Sequence, residues 1–268
     1  DFDLLLEDFL RAAPQPTQVQ AACLGVAGPV FDGAVSVTNL PWRLEAESLS
    51  QRLRAPVRLI NDFDATARGI DRLRAQDLVC LQQGTLVTNA PRLVIGAGTG
   101  LGISFSLNMG EGYQVIPTEA GRNAFAPTTP EQVELWRHLY AHHARATFEL
   151  LLSGKGLMRI YDFICLQRGL AEDVSIGAAV DPAAEIVQRS GEPGAHGHEA
   201  CAAAVDLFLQ IYGARAGDLA LTILARGGVY IAGGIAPKLL ARLQSGVFME
   251  AFLSKGIHSK FVRNVPVH

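Results

Sequence analysis

Arg92-Leu-Val-Ile-Gly-Ala-Gly-Thr-Gly-Leu-Gly-Ile-Ser-Phe-Ser-Leu107 decides the fold. Arg92 to Ile95 reads as a strand, and Ile103 to Leu107 alternates with the period of a strand. The intervening Gly96-Ala-Gly-Thr-Gly-Leu-Gly102 therefore joins strand to strand. A dinucleotide fingerprint needs glycines spaced G-x-G-x-x-G and a helix after them, and here both the spacing and the following strand are wrong. The Gly154-Lys155 pair is followed by Gly156, so it is not a Walker A loop either. Free of Cβ crowding, the backbone N–H groups around Gly96, Gly98, Thr99, Gly100 and Gly102 can converge on phosphate oxygens.

Upstream, Asp1 to Ala13 carries apolar residues at helical spacing until Pro14 and Pro16 break it. Residues 22–27 read as a buried strand, and with 34–37 beyond Phe31-Asp32-Gly33 they predict a hairpin. A short helix over 45–54 precedes the strand Val57 to Ile60, and 64–73 reads as a helix. Strand and helix alternate, which predicts an α/β protein with mixed sheets. Downstream, helices are expected over 131–151, 156–168 and 199–226, with a loop over 190–198. The many small residues of 199–226, Gly213 and Gly217 among them, predict another element packed very close. A strand over 228–232, a turn at Gly233-Gly234 and a helix from Pro237 to Leu243 follow.

Composition narrows the function. With 49% hydrophobic and 18% charged residues among 268, the chain has material for a core. A net charge of −3 leaves no basic excess to release counterions, so nucleic acid is not an expected partner. No apolar run reaches the length of a membrane span. Cys23, Cys80, Cys165 and Cys201 are scattered and form no CxxC; they read as small core residues in a reducing compartment. His138, His142 and His143, and His196 with His198, lack a completing carboxylate or cysteine. They read as a helix face and a loop rather than metal sites.

Several polar residues stand at element ends. Asn61-Asp62 follows a strand and precedes a helix, where it reads either as a helix cap or as a carboxylate placed to take a proton from a hydroxyl. Glu119 lies in a turn-rich loop, and Glu149 precedes Leu150-Leu-Leu-Ser-Gly154. Each alone reads as a surface charge. Together with Asn61 they suit a polyol, whose hydroxyls need several fixed acceptors.

Six motifs in order carry a family resemblance: Thr38-Asn-Leu-Pro-Trp42, Ile60-Asn-Asp-Phe63, the 96–102 loop, Phe125-Ala-Pro127, Leu152-Ser-Gly154 and Gly227-Gly-Val-Tyr-Ile-Ala-Gly-Gly-Ile-Ala-Pro237. From about residue 20 onward the chain resembles bacterial glucokinases of the non-ROK type. The resemblance implies the actin-like ATPase (ribonuclease H-like) fold, with two lobes around a cleft, here 1–62 and 63–268. It implies ATP-dependent phosphorylation of glucose at O6 with Mg²⁺, in a cytoplasmic homodimer. Asp62 would be the general base; Asn61, Glu119, Arg122 and Glu149 would bind sugar. The 96–102 loop would hold the ATP phosphates, and the turn at Gly233 and Gly234 the adenosine. No protein metal ligand is assigned.

The chain departs from the family pattern in three places. Thr118-Glu-Ala-Gly-Arg122 stands where the family has Gly-Glu-Gly-Gly-His, so a donor-only arginine replaces a histidine that can also accept. The family's opening Asp-x-Gly-Gly-Thr loop does not appear, and neither does its closing glycine-rich segment and helix; both ends read as cut. These departures keep two alternatives open: a kinase for another hexose, and a sugar- or ATP-binding homologue without turnover.

Overall fold

The computed structural model describes residues 1–12, 19–38, 40–191 and 198–268. The expected breakers Pro14 and Pro16, the motif residue Asn39, His196 and the His198 side chain lie outside the described residues. The chain divides into two units, Asp1–Asp71 and Arg72–His268.

The first unit runs α1 (Phe2–Arg11), β1 (Ala22–Val26), β2 (Ala34–Ser36), β3 (Arg43–Glu45), α2 (Ala46–Leu53), β4 (Val57–Asn61) and α3 (Asp62–Gly69). Asp1 caps α1 by accepting from the Asp3 N–H. Val35, Leu44, Leu49 and Leu59 form a small core, against which Phe2 and Leu6 pack. The expected 22–37 hairpin is not what forms. β1 pairs in parallel with β4, Ala22 opposite Val57 through Val26 opposite Asn61, and β2 pairs antiparallel with β3. The expected Asp32-Gly33 turn does form, with Phe31 and Ala34 exchanging N–H···O bonds at 3.0 and 2.8 Å, but Pro29 has no N–H for a ladder and separates β1 from it, so β1 does not pair with β2. β1 also alternates in exposure instead of being buried throughout, and Cys23 is exposed. The division falls at Asp71, nine residues past the expected boundary at Asp62. The reason is α3, which packs on β1 and β4 and stays with the first unit.

The second unit opens with β5 (Arg92–Ala97), β6 (Leu101–Asn108) and β7 (Tyr113–Thr118), followed by α4 (Pro130–His142), α5 (Phe148–Leu151), α6 (Gly154–Arg168), α7 (Val174–Gly177) and α8 (Pro182–Arg189). It continues with α9 (His198–Ile223), β8 (Val229–Ala232), α10 (Ile235–Lys238), α11 (Leu240–Leu243), α12 (Val247–Leu253) and α13 (Ser259–Val262). Its sheet has the order β7-β6-β5-β8, antiparallel except for the parallel β5–β8 pair. This is the mixed sheet the sequence predicts. The expected helix over 131–151 is broken in two. α4 ends at His142, and Thr147 starts α5 by accepting from the Leu150 N–H.

α9 is the spine of this unit. It packs on α6, α8, α12 and β5, and the Tyr212 hydroxyl donates to the Ile95 carbonyl at 3.1 Å. The close partner expected from its small residues is α12. A Cβ on Gly213 would sit 2.0 Å from the Phe248 carbonyl oxygen, and one on Gly217 2.5 Å from that of Phe252. Only hydrogen on those Cα atoms lets the two helices meet.

Candidate functional site

In the first unit, Asn61 ends β4 and caps α3. Its Oδ1 accepts from the Phe63 and Asp64 N–H groups at 2.9 and 3.3 Å, and its Nδ2 donates to the Gly28 carbonyl at 3.1 Å. The cap reading of the sequence is therefore met, and it fixes the first turn of α3 with Asp62 as its first residue. Asp62 opens to solvent and accepts from the Phe63 N–H at 3.0 Å. Partial burial nevertheless pushes its carboxyl above the ordinary aspartate value, against the lowering effect of that hydrogen bond. A carboxylate so shifted is a better proton acceptor than a free aspartate. Asp64, which the sequence analysis passed over, is buried and paired with Arg68 Nε at 2.6 Å.

In the second unit the glycine run forms a tight hairpin, as expected. Gly96 and Gly102 face each other within the β5–β6 ladder, and Ala97 faces Leu101. The turn itself is Gly98-Thr99-Gly100, closed by the Gly98 N–H donating to the Gly100 carbonyl at 2.9 Å. With the Gly98 N–H engaged in that closure and the Leu101 N–H turned to Glu149, the turn's N–H groups open to a ligand are those of Thr99 and Gly100.

Glu119 and Arg122 lie on the 3₁₀ turn after β7, and both are exposed. The turn is pressed onto the hairpin. A Cβ on Gly121 would fall 2.1 Å from the Leu101 carbonyl oxygen, so the position admits glycine alone without movement. Glu149 opens the α5 turn and reaches the same place. Its Oε1 lies 3.1 Å from Arg122 Nη2, and its Oε2 accepts from the Leu101 N–H at 3.3 Å. The structure thus brings Arg122 and Glu149 together beside the glycine turn. Glu119 shares the turn, and the Arg122 N–H donates to its carbonyl at 3.0 Å.

Arg215 supports this cluster and went unassigned in the sequence. From α9 it lies over the Phe148 ring at 4.4 Å and donates to the Ala120 carbonyl at 3.0 Å. Burial holds its guanidinium below the ordinary arginine value. A charged residue in the middle of a helix otherwise rich in alanine and leucine is the signal that marks it.

Also in the second unit is a cavity of about 600 Å³ lined by Gly98, Thr99, Lys155, Asp181, Gly234 and Lys238, among others. That volume lies within the range of small-molecule sites. Two helices begin at its wall, α6 capped by Ser153 and α8 capped by Asp181. Helix N-termini and two lysines favour an anionic ligand. Lys238 Nζ pairs with Asp181 Oδ2 at 2.6 Å across the lining, and the Lys238 hydrogen bond is the main influence holding the Asp181 carboxyl below its ordinary value. Gly233 lies beside this lining, directly before Gly234.

The histidines of α4 form a helix face. His142 Nδ1 lies 2.8 Å from the His138 carbonyl, and the His138 ring packs on Phe163. Among the described residues no cluster of three or more metal-ligating side chains occurs. Of the four cysteines, Cys165 and Cys201 are buried as expected, whereas Cys23 and Cys80 are exposed; all four are free.

A family model described as Glucokinase matches residues 1–268. A glucokinase of Nostoc sp. (strain PCC 7120) is 38% identical across 98% of this chain and 81% of its own length. The crystal structure of glucokinase from an Antarctic psychrotroph superposes with a TM-score of 0.81 at 30% identity, covering 98% of this chain and 79% of that one. A glucokinase from Balamuthia mandrillaris, solved in complex with glucose, gives a TM-score of 0.82 at 23% identity, covering 99% and 77%. At that identity the likeness is one of fold.

Proposed function

This chain belongs to the glucokinase family, and from that premise we propose that it transfers the terminal phosphoryl group of ATP to the 6-hydroxyl of glucose, giving glucose 6-phosphate and ADP. The observation that carries the reading furthest is the Arg122–Glu149–Leu101 arrangement, which puts a candidate sugar-reading carboxylate in contact with the backbone of the glycine turn.

Each residue then has a role. Asp62 accepts the proton of the 6-hydroxyl as the oxygen attacks phosphorus, and ADP leaves with the electrons of the broken bond. Its raised proton affinity and its fixed place at the start of α3 support this. Asn61 binds sugar in addition to capping the helix. Glu119, Arg122 and Glu149 bind the remaining hydroxyls. The Thr99 and Gly100 N–H groups hold phosphate oxygens, Gly98 lines the phosphate site while its own N–H closes the turn, and Gly96 and Gly102 build the hairpin that presents them. The cavity bordered by Gly234 holds the nucleoside, next to Gly233. Mg²⁺ enters as part of the nucleotide substrate and offsets phosphate charge.

The Arg122–Glu149 pair favours a second reading for the sugar. A carboxylate shared with a guanidinium offers fewer acceptors, which suits a hexose with a different hydroxyl pattern. Incubation with ATP, Mg²⁺ and single sugars, followed by ³¹P NMR, tests both readings. Glucose 6-phosphate supports the first; a phosphate ester formed only from another hexose supports the second; no ester from any sugar contradicts both.

A homodimer in the cytoplasm completes the proposal. It rests on the family resemblance, and four free cysteines agree with a reducing compartment. None of the described helices is long and apolar enough to cross a membrane. Sedimentation equilibrium tests the dimer.

A further inference from the structure

In the proposed function Glu149 is a sugar acceptor, yet both of its carboxylate oxygens already have partners inside the second unit. Oε1 pairs with Arg122 Nη2 at 3.1 Å, and Oε2 accepts from the Leu101 N–H at 3.3 Å. The same Oε2 lies 2.8 Å from where a Cβ on Gly100 would stand, so the carboxylate rests directly against the glycine turn.

The segment that carries Glu149 holds the other side of the turn as well. The Gly154 N–H donates to the Gly98 carbonyl at 2.9 Å. Between these two contacts the segment is tied to itself. The Ser153 hydroxyl donates to the Glu149 carbonyl at 2.9 Å, and the Gly156 N–H donates to Ser153 Oγ at 3.0 Å. Ser153 is buried, with Leu151 and Leu152 beside it. Residues 149–154 therefore grip Gly98-Thr99-Gly100 at both ends, by the Gly154 backbone at one and the Glu149 side chain at the other.

A turn with two glycines in three residues has many conformations open to it, and ordering it on ligand binding costs free energy. Contacts that order it beforehand remove that cost from the binding step. We infer that Glu149 is a positioning residue for the phosphate turn, acting through the Leu101 N–H, so that nucleotide affinity depends on it even when no sugar is present. The inference rests on the kinase reading. It adds that one carboxylate serves two substrates, so that changes in how the sugar engages Glu149 reach the nucleotide and the reverse.

The test is equilibrium binding of Mg²⁺ and a non-hydrolysable ATP analogue without sugar, beside sugar KM from steady-state turnover. Glu149→Ala removes the acceptor and is expected to weaken analogue binding about tenfold. Glu149→Gln keeps a carbonyl oxygen that can accept from Leu101 but loses the charge pairing with Arg122. It is expected to bind the analogue within about threefold of the unaltered protein while raising sugar KM as the alanine variant does. A sugar contact alone would move sugar KM and leave the analogue untouched. Glu149→Asp, one methylene shorter, withdraws the carboxylate from the Leu101 N–H while keeping its charge and leaves the turn's own residues intact; it is expected to show the same analogue defect and serves where Glu149→Ala does not fold. Unchanged analogue affinity in a folded Glu149→Ala or Glu149→Asp protein overturns the inference and leaves the kinase reading standing. An equal defect in the alanine and glutamine variants also overturns it. An unaltered protein that binds no analogue overturns both.

Discussion

Arg122 Nη2 lies 3.1 Å from Glu149 Oε1, and the arginine side chain is 61% exposed while the carboxylate is 28% exposed. A pair this open to water contributes little to stability, within about 1 kcal/mol. Its interest lies in what it does to the carboxylate. With Oε1 facing a guanidinium and Oε2 facing the Leu101 N–H, Glu149 has less capacity for sugar hydroxyls than a free carboxylate.

Arg122→His, the residue the family pattern places here, frees Oε1. The expected result is a glucose KM lower by about threefold to tenfold, the effect of about one recovered hydrogen bond, with the melting temperature unchanged. Steady-state kinetics and a thermal melt check this. A raised KM would instead mean that the Arg122 guanidinium binds the sugar hydroxyls better than an imidazole and the freed Oε1 together.

Asp62→Asn is expected to lower kcat by about 10²-fold to 10⁴-fold, the usual worth of a general base, with ATP analogue binding retained. The carboxyl is raised above its ordinary value, so the acid limb of kcat/KM falls above the pKa of a free aspartate. A pH–rate profile locates that limb.

The same shift has a stability consequence of fixed sign. A carboxyl whose folded pKa exceeds its unfolded value binds more protons in the folded state, so its contribution is fully present below the unfolded pKa. It is lost as pH rises through the folded pKa. Asp62→Asn removes this loss. It is expected to be at least as stable as the unaltered protein at neutral pH, and denaturant titrations at pH 4 and pH 7 compare the two. A less stable asparagine variant at neutral pH would contradict the assignment of the shift.

Gly121→Ala and Gly213→Ala test two close approaches. The added Cβ atoms would stand 2.1 Å from the Leu101 oxygen and 2.0 Å from the Phe248 oxygen. Each is expected to destabilise by about 1–3 kcal/mol, since backbone must shift to admit a methyl. Gly121→Ala should also raise sugar KM, because it displaces the turn that carries Glu119 and Arg122. Gly213→Ala, between α9 and α12, should leave KM unchanged. Denaturant unfolding with steady-state kinetics separates the two.

The parts of the fold set by local chemistry were legible in the sequence. The hairpin around Gly98-Thr99-Gly100, the Asn61 cap and the crowding of α9 each follow from residues a few positions apart. Pairing across long separations was not. β1 finds its parallel partner at Val57–Asn61 rather than at 34–37, and no local pattern distinguishes those partners. The break between α4 and α5 lacks proline and glycine, and Thr147 as a cap was its sole mark. The candidate site divides in the same way. Asn61, Asp62, Glu119 and Glu149 were each visible as polar residues at element ends. The contact of Glu149 with Leu101 joins residues 48 positions apart, and Arg215 reaches Ala120 over a longer span still. Such contacts are decided by how α5 and α9 pack against the sheet, and single positions do not record that.

The most direct test of the kinase reading is glucose-dependent ADP release from ATP and Mg²⁺, measured side by side for the unaltered protein and Asp62→Ala. Turnover that saturates with glucose and is lost in the variant is the predicted result. Turnover that survives the loss of Asp62, or an unaltered protein that binds ATP and glucose yet releases no ADP, would contradict it.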